Sequence, residues 1–224
     1  RRREQVSFHV APDAVHPNAT GHWVLAQSLL LAWRAPAAVG EAVVDVSSGK
    51  SDSGEILSLK VEQPTVSFTW KTRLPMPLDR AWDGKSLELL RVSERLNRYR
   101  LVVKGLGAGD HQLQARWKGE SAWTVAALRS AKEYASGLDL STIPAFPPVQ
   151  QAGVIRERVL KRRLAIDAAW RGSREQQAPD PASKPDPELE AIRQVCQPRE
   201  VEILIIQRSR ALRRSFLLAR RAPA

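Results

Sequence analysis

The sequence predicts an α/β segment at the front of the chain, then an antiparallel β-sandwich-like module, then C-terminal helices. Three observations predict this order. A strand-loop-helix pattern occupies the first 35 or so residues; short β-rich runs punctuated by glycine fill residues 38–130; helical periodicity takes over after residue 147.

Residues 6–10, Val-Ser-Phe-His-Val, alternate β-branched and aromatic side chains and predict a strand. The next twelve residues, 11–22, hold Pro12, Asp13, His16, Pro17, Asn18 and Gly21, a loop composition. Trp23, Leu25, Ala26, Leu29, Leu30 and Trp33 then recur at helical spacing. Pro17 lacks an N–H that the first helical turn would leave unused, so it can stand at or near the helix start. Between 38 and 130 the spacing predicts five to seven strands, drawn from 41–46, 56–61, 65–70, 87–92, 99–103, 111–117 and 123–125. Gly49, Gly54, Gly84, Gly119 and the run 105–110 mark the turns. That run is no phosphate loop, because it lacks the lysine and following Ser or Thr and joins two strands instead of opening a helix.

Residues 147–177 predict a helix with Val154, Ile155, Val159, Leu160, Leu164, Ile166 and Trp170 on a broad apolar face. A Pro-rich spacer at 178–187 follows, then a short helix over 187–195, a strand-like run at 201–206 and a basic tail. The domain organisation read from this is 1–37, the end of an α/β domain; 38–146, the β-sandwich-like module; 147–177, a helix; 178–187, a linker; and 188–224, a short helix, a strand-like segment and the tail.

The net charge of +11 does not mark a nucleic-acid protein once it is located. Arg1, Arg2 and Arg3 carry part of it, and residues 207–224 add six arginines without one acid. The remaining 26 basic side chains face 24 acidic ones over residues 4–206, leaving no excess to neutralise phosphates. The longest apolar stretch, residues 24–33, contains Gln27 and Ser28 and falls well short of the roughly 20 residues that span a bilayer. The arginines of the tail interleave with Leu212, Phe216, Leu217 and Leu218, which would suit an anionic membrane surface as well as a solvated end. No apolar signal region follows Arg1–Arg3. With Met76 as the single methionine, the chain reads as lacking its natural beginning. Cys196, the one cysteine, cannot form an internal disulfide.

Asp13-Ala14-Val15-His16-Pro17-Asn18 is the constellation that can carry chemistry. A serine hydrolase needs an imidazole to take and return a hydroxyl proton, and a carboxylate to fix its tautomer. Asp13 and His16, three residues apart on a turn, can meet with one ring nitrogen left facing outward. The plainer alternative is that Asp13 stabilises a turn and His16 merely precedes a proline. His9 and His22 read as structural, and the four histidines show no metal-ligand spacing, so no metal and no cofactor are expected.

Asp13-x-x-His16-Pro17-Asn18-x-x-Gly21-His22, after a strand and before an amphipathic helix, resembles the last sequence block of the SGNH, or GDSL-type, serine hydrolases, over residues 6–35. The resemblance implies the C-terminal strand and helix of a flavodoxin-like α/β/α domain, with Asp13 as orienting acid and His16 as general base. It implies ester hydrolysis through an acyl-serine, on a small ester or an acylated carbohydrate such as an acetyl ester, and it points toward a secreted or periplasmic protein. Leu74-Pro75-Met76-Pro77-Leu78-Asp79, Leu96-Asn97-Arg98-Tyr99 and Ala168-Ala169-Trp170-Arg171 resemble the long C-terminal extension of planctomycete-type members. The family's Gly-Asp-Ser block and its oxyanion-hole Gly and Asn blocks are absent from these 224 residues, and Gly172-Ser173-Arg174 does not resemble the nucleophile turn. This chain alone is therefore expected to be inactive.

The alternative is a non-catalytic carbohydrate-binding or protein-interaction protein in which the β-rich module is the working part. Trp70, Trp82, Trp117 and Trp123 lie in that module and are expected chiefly in its core, with sugar stacking the competing role.

Overall fold

A computed structural model describes residues 10–53, 55–78, 82, 84–172 and 187–208. Helix α1 spans Ala19–Ala32, and nine strands follow it among the described residues. Strands β1 (Ala38–Asp45) and β2 (Lys50–Ser51) pair antiparallel, and β1 also runs parallel to β5 (Arg98–Lys104), which pairs in turn with the two-residue β8 (Leu138–Asp139). The second sheet is antiparallel throughout. Its order is β3 (Ile56–Glu62), β4 (Thr65–Thr72), β9 (Arg199–Arg208), β6 (Asp110–Trp117) and β7 (Thr124–Ser130). The chain is thus an α/β protein with two mostly antiparallel sheets and several helices.

Period-two patterning builds the core. Val66, Phe68 and Trp70 on β4, Leu113, Ala115 and Trp117 on β6, and Val201, Ile203 and Ile205 on β9 alternate with outward residues and are all buried. They join Ala42, Val44, Tyr99, Leu101 and Val103 of the other sheet in one cluster, so both sheets share a single core. Trp70 stacks on Tyr99 at 5.2 Å, and the Tyr99 hydroxyl lies 3.1 Å from the Thr72 hydroxyl, which satisfies a polar tip inside apolar surroundings.

The segment after the Pro-rich stretch does not stand apart. It returns to the sheet, and β9 lies between β4 and β6. The predicted 201–206 run is therefore the middle strand, sharing core and sheet with residues 38–146.

The expected strand at 87–92 is instead helical. Residues Gly84–Leu90 form α2, Arg91 turns in the left-handed region (φ 52°), and Val92–Arg95 form the single-turn α3. The stretch Lys-Ser-Leu-Glu-Leu-Leu has good helix formers and no β-branched or aromatic side chain. Its helical face is also occupied: Leu87, Leu90, Val92 and Leu96 pack with Trp23 of α1 in a second, smaller cluster. Trp82 stacks on Trp23 at 4.7 Å, and the Gln27 amide donates to the Leu90 carbonyl at 2.9 Å. These contacts tie α1 to the β4–β5 connection. Leu25, Leu29 and Trp33 on the other side of α1 stay exposed.

Helix α4 (Ala131–Ser136), which no sequence signal had singled out, opens with a capping box in which Ser130 and Glu133 satisfy each other's backbone N–H. Residues Pro147–Gly172 form α5 and Pro187–Val195 form α6, as the periodicity predicts over the described part of each. The predicted strand at 6–10, the spacer at 178–187 and the basic tail lie outside the described residues, apart from Val10, Pro187 and Arg208.

Two outcomes follow from this packing. Ile203 is fully buried in the middle strand, so Ile203→Ala should destabilise the protein by about 2–5 kcal/mol, read as a lowered urea midpoint. His111 on β6 is buried with its Nδ1 unpartnered, and burial holds its imidazole below the ordinary histidine range. The unfolded chain binds the proton near the usual value of about 6.5 while the native ring stays neutral. Stability should therefore fall as pH drops below about 6.5 toward the folded value, and His111→Leu should flatten that part of the urea-midpoint profile.

Candidate active site

The loop before α1 is held by the end of the preceding segment. Asn18 N–H donates to the Val10 carbonyl at 2.9 Å, and the Asn18 side chain caps α1 by accepting from Gly21 N–H at 2.8 Å. Thr20 and Gly21 are buried beneath the loop. A Cβ on Gly21 would lie 2.1 Å from the Val10 oxygen, so only glycine lets the first helical turn approach this closely. Pro17 stands one residue outside the cap.

Within this frame the chain folds tightly around Asp13. Ala14 adopts φ 65°, and its N–H donates to Ala11 at 3.1 Å. Asp13 Oδ1 accepts from the backbone N–H of His16 at 2.7 Å and of Val15 at 3.1 Å. Its second oxygen, Oδ2, lies 2.6 Å from His16 Nδ1. An ionised carboxylate only accepts, so Nδ1 carries the proton of this hydrogen bond and Nε2 of the neutral ring presents a lone pair. The hydrogen bond from the His16 ring, followed by those from the His16 and Val15 amides, holds the Asp13 carboxyl below its usual range.

The imidazole projects outward: the His16 side chain is 82% exposed and that of Asp13 55% exposed. The geometry brings the two predicted residues together and leaves Nε2 open. Among the described residues no hydroxyl or thiol is hydrogen-bonded to Nε2. His22 sits exposed in the first turn of α1 and His111 is buried in the sheet core, so neither joins the pair, while His9 lies outside the described residues. No group of three or more His, Cys, Asp or Glu able to hold a metal occurs among the described residues, and no described helix is long and apolar enough to cross a membrane.

Val10 and Asn18 act here through a backbone carbonyl and a cap. The sequence signal for the cap is an Asn immediately before the apolar helical pattern. The Val10 carbonyl leaves no signal, since its part is played by the backbone.

Neither a family model nor a curated protein sequence matches this chain. Its fold is similar to that of a solved structure, a gut microbial diltiazem-metabolizing enzyme, with a TM-score of 0.68 and 19% sequence identity. The similarity covers 92% of this chain and 59% of that one, so the chain spans less than two thirds of that enzyme's length. The likeness is one of fold.

The Asp13 contact fixes one imidazole tautomer. In side-chain nitrogen NMR, the neutral form of the His16 ring should show a protonated Nδ1 and an unprotonated Nε2. Asp13→Ala should give a mixture of both tautomers.

Proposed function

We propose that Asp13 and His16 are the acid–base pair of an SGNH-type serine ester hydrolase, with its nucleophilic serine and oxyanion donors contributed by chain outside these 224 residues. The observation that carries this reading is the 2.6 Å contact between Asp13 Oδ2 and His16 Nδ1, which orients the ring and leaves Nε2 outward. The fold shared with a solved enzyme is compatible with it, and the spacing Asp-x-x-His-Pro-Asn before a capped helix supports it.

In the proposed reaction Nε2 takes the proton from the serine hydroxyl as the oxygen attacks the ester carbonyl. Asp13, ionised over a wide pH range, stabilises the imidazolium that forms. The bond to the alcohol then breaks and Nε2 returns the proton to the leaving oxygen, giving an acyl-serine. A water deprotonated by the same nitrogen cleaves that ester, releasing the acid and restoring the serine. No step calls on a cofactor. Short acyl esters, acetyl groups on carbohydrate among them, are the substrate class that the family resemblance supports.

The test is hydrolysis of p-nitrophenyl acetate and of acetylated xylan by the longest natural chain that contains these residues. His16→Ala should lower kcat by roughly a thousandfold or more, and Asp13→Asn by up to about 10⁴ through the wrong tautomer, with both variants folded. The 224 residues alone should show no turnover. Loss of less than twofold in His16→Ala, or an inactive longer chain, would sink the proposal.

A further inference from the structure

The five-stranded sheet has a second face, turned away from the core, and the alternation that buries Phe68 and Ile203 places a polar row there. Ser58 on β3 is paired across the strands in the register Ser58–Thr69–Glu202–Arg116, which crosses β3, β4, β9 and β6 in one line. Ser58, Lys60, Ser67, Thr69, Glu202 and Trp123 line a cleft of about 210 Å³ on this face. Of the tryptophans of the β-rich region, Trp70 and Trp117 are buried in the main core and Trp82 stacks on Trp23, whereas Trp123, just before β7, lies on this face.

Arg116 organises the cleft. Its Nε donates to Glu202 Oε2 at 2.6 Å and its Nη1 to the Ser121 carbonyl at 3.3 Å, while its guanidinium lies 4.4 Å over the Trp123 ring. The indole is thereby held from one side by a cation that is itself anchored twice. Ser58 Oγ is hydrogen-bonded to Thr69 Oγ1 at 3.1 Å, which fixes a hydroxyl pair beside it. The second Glu202 oxygen has no hydrogen-bond partner among the described residues.

We propose that this cleft binds a neutral saccharide. A pyranose ring has an apolar C–H face and a rim of hydroxyls that both donate and accept. The cleft offers the matching set: an indole held in place, two hydroxyl acceptor-donors, a carboxylate oxygen and the Lys60 ammonium. The charge balance selects against the other ligand classes. Glu202 sits at the centre of the row with its charge matched by Arg116, and Lys60 is the one further cation of the lining, so the site lacks the clustered positive charge that phosphate or nucleic acid recruits. An acyl chain would desolvate the hydroxyl pair and the carboxylate without replacing their hydrogen bonds. The site is separate from Asp13 and His16, and the proposal does not depend on the esterase reading.

Affinity electrophoresis of the intact chain in gels containing arabinoxylan, glucomannan or dextran tests it. The chain should be retarded in at least one of the three relative to a glycan-free gel. Trp123→Ala should raise the apparent Kd at least about tenfold. Because that variant removes a half-buried ring, Ser58→Arg serves as the second: Ser58 is exposed, and the long side chain should fill the cleft without touching the core. His16→Ala should be retarded as strongly as the wild type, which separates this site from the proposed hydrolytic one. Free migration in all three gels, or wild-type retardation of both Trp123→Ala and Ser58→Arg, would overturn the proposal.

Discussion

Strand β9 holds the larger sheet together, because it pairs with β4 through eight register positions on one side and with β6 through eight on the other. Neither neighbour has another strand to take its place on that edge. Residues Val201, Ile203 and Ile205 fill the middle of the shared core, so the same strand supplies both the ladder and the apolar contacts. The chain must travel through α5 and α6 before this strand arrives. Contacts between residues near 66 and residues near 205 close a long loop, and such closure costs chain entropy before the burial of the strand offsets it. The sheet is for that reason a property of the whole chain from residue 38 to residue 208.

The Asp13–His16 pair depends on different forces. Its loop is held by backbone hydrogen bonds and by a glycine that lets helix and carbonyl meet, with little apolar burial of its own. What steadies it is α1, and what steadies α1 is the stack of Trp23 on Trp82 together with α2 and α3. The pair is presented at the surface beside the N-terminal end of α1, which is rooted in the smaller cluster. Leu25, Leu29 and Trp33 on the opposite side of α1 make this helix apolar on both sides, a pattern ordinarily found where a helix is covered twice.

The two faces of the larger sheet show how one strand pattern serves two purposes. Inward positions are apolar and packed. Outward positions carry Ser, Thr, Glu and Arg in cross-strand register, and their hydrogen bonds and ion pairs organise a surface. Trp117 and Trp123 are six residues apart and end in opposite environments, one in the core and one on the outer face.

The sequence by itself determined the elements whose signals are local. Alternation located β1, β3, β4, β5, β6 and β9, Pro17 and helical spacing located α1, and the separation of Asp13 from His16 was short enough for a turn to join them. At 87–92 closely spaced leucines fit the apolar pattern of a strand or a helix, and the helix formers of 85–90 together with the tertiary partner Trp23, which packs on the helical face, decide for the helix. Strand pairing was invisible: a run at 201–206 looks the same whether it stands alone beyond a linker or sits at the centre of a sheet. The side to which each tryptophan turns was decided by which strands became neighbours. Periodicity is written along the chain, whereas partners are chosen by long-range burial, and only the folded structure brings those distant residues into contact.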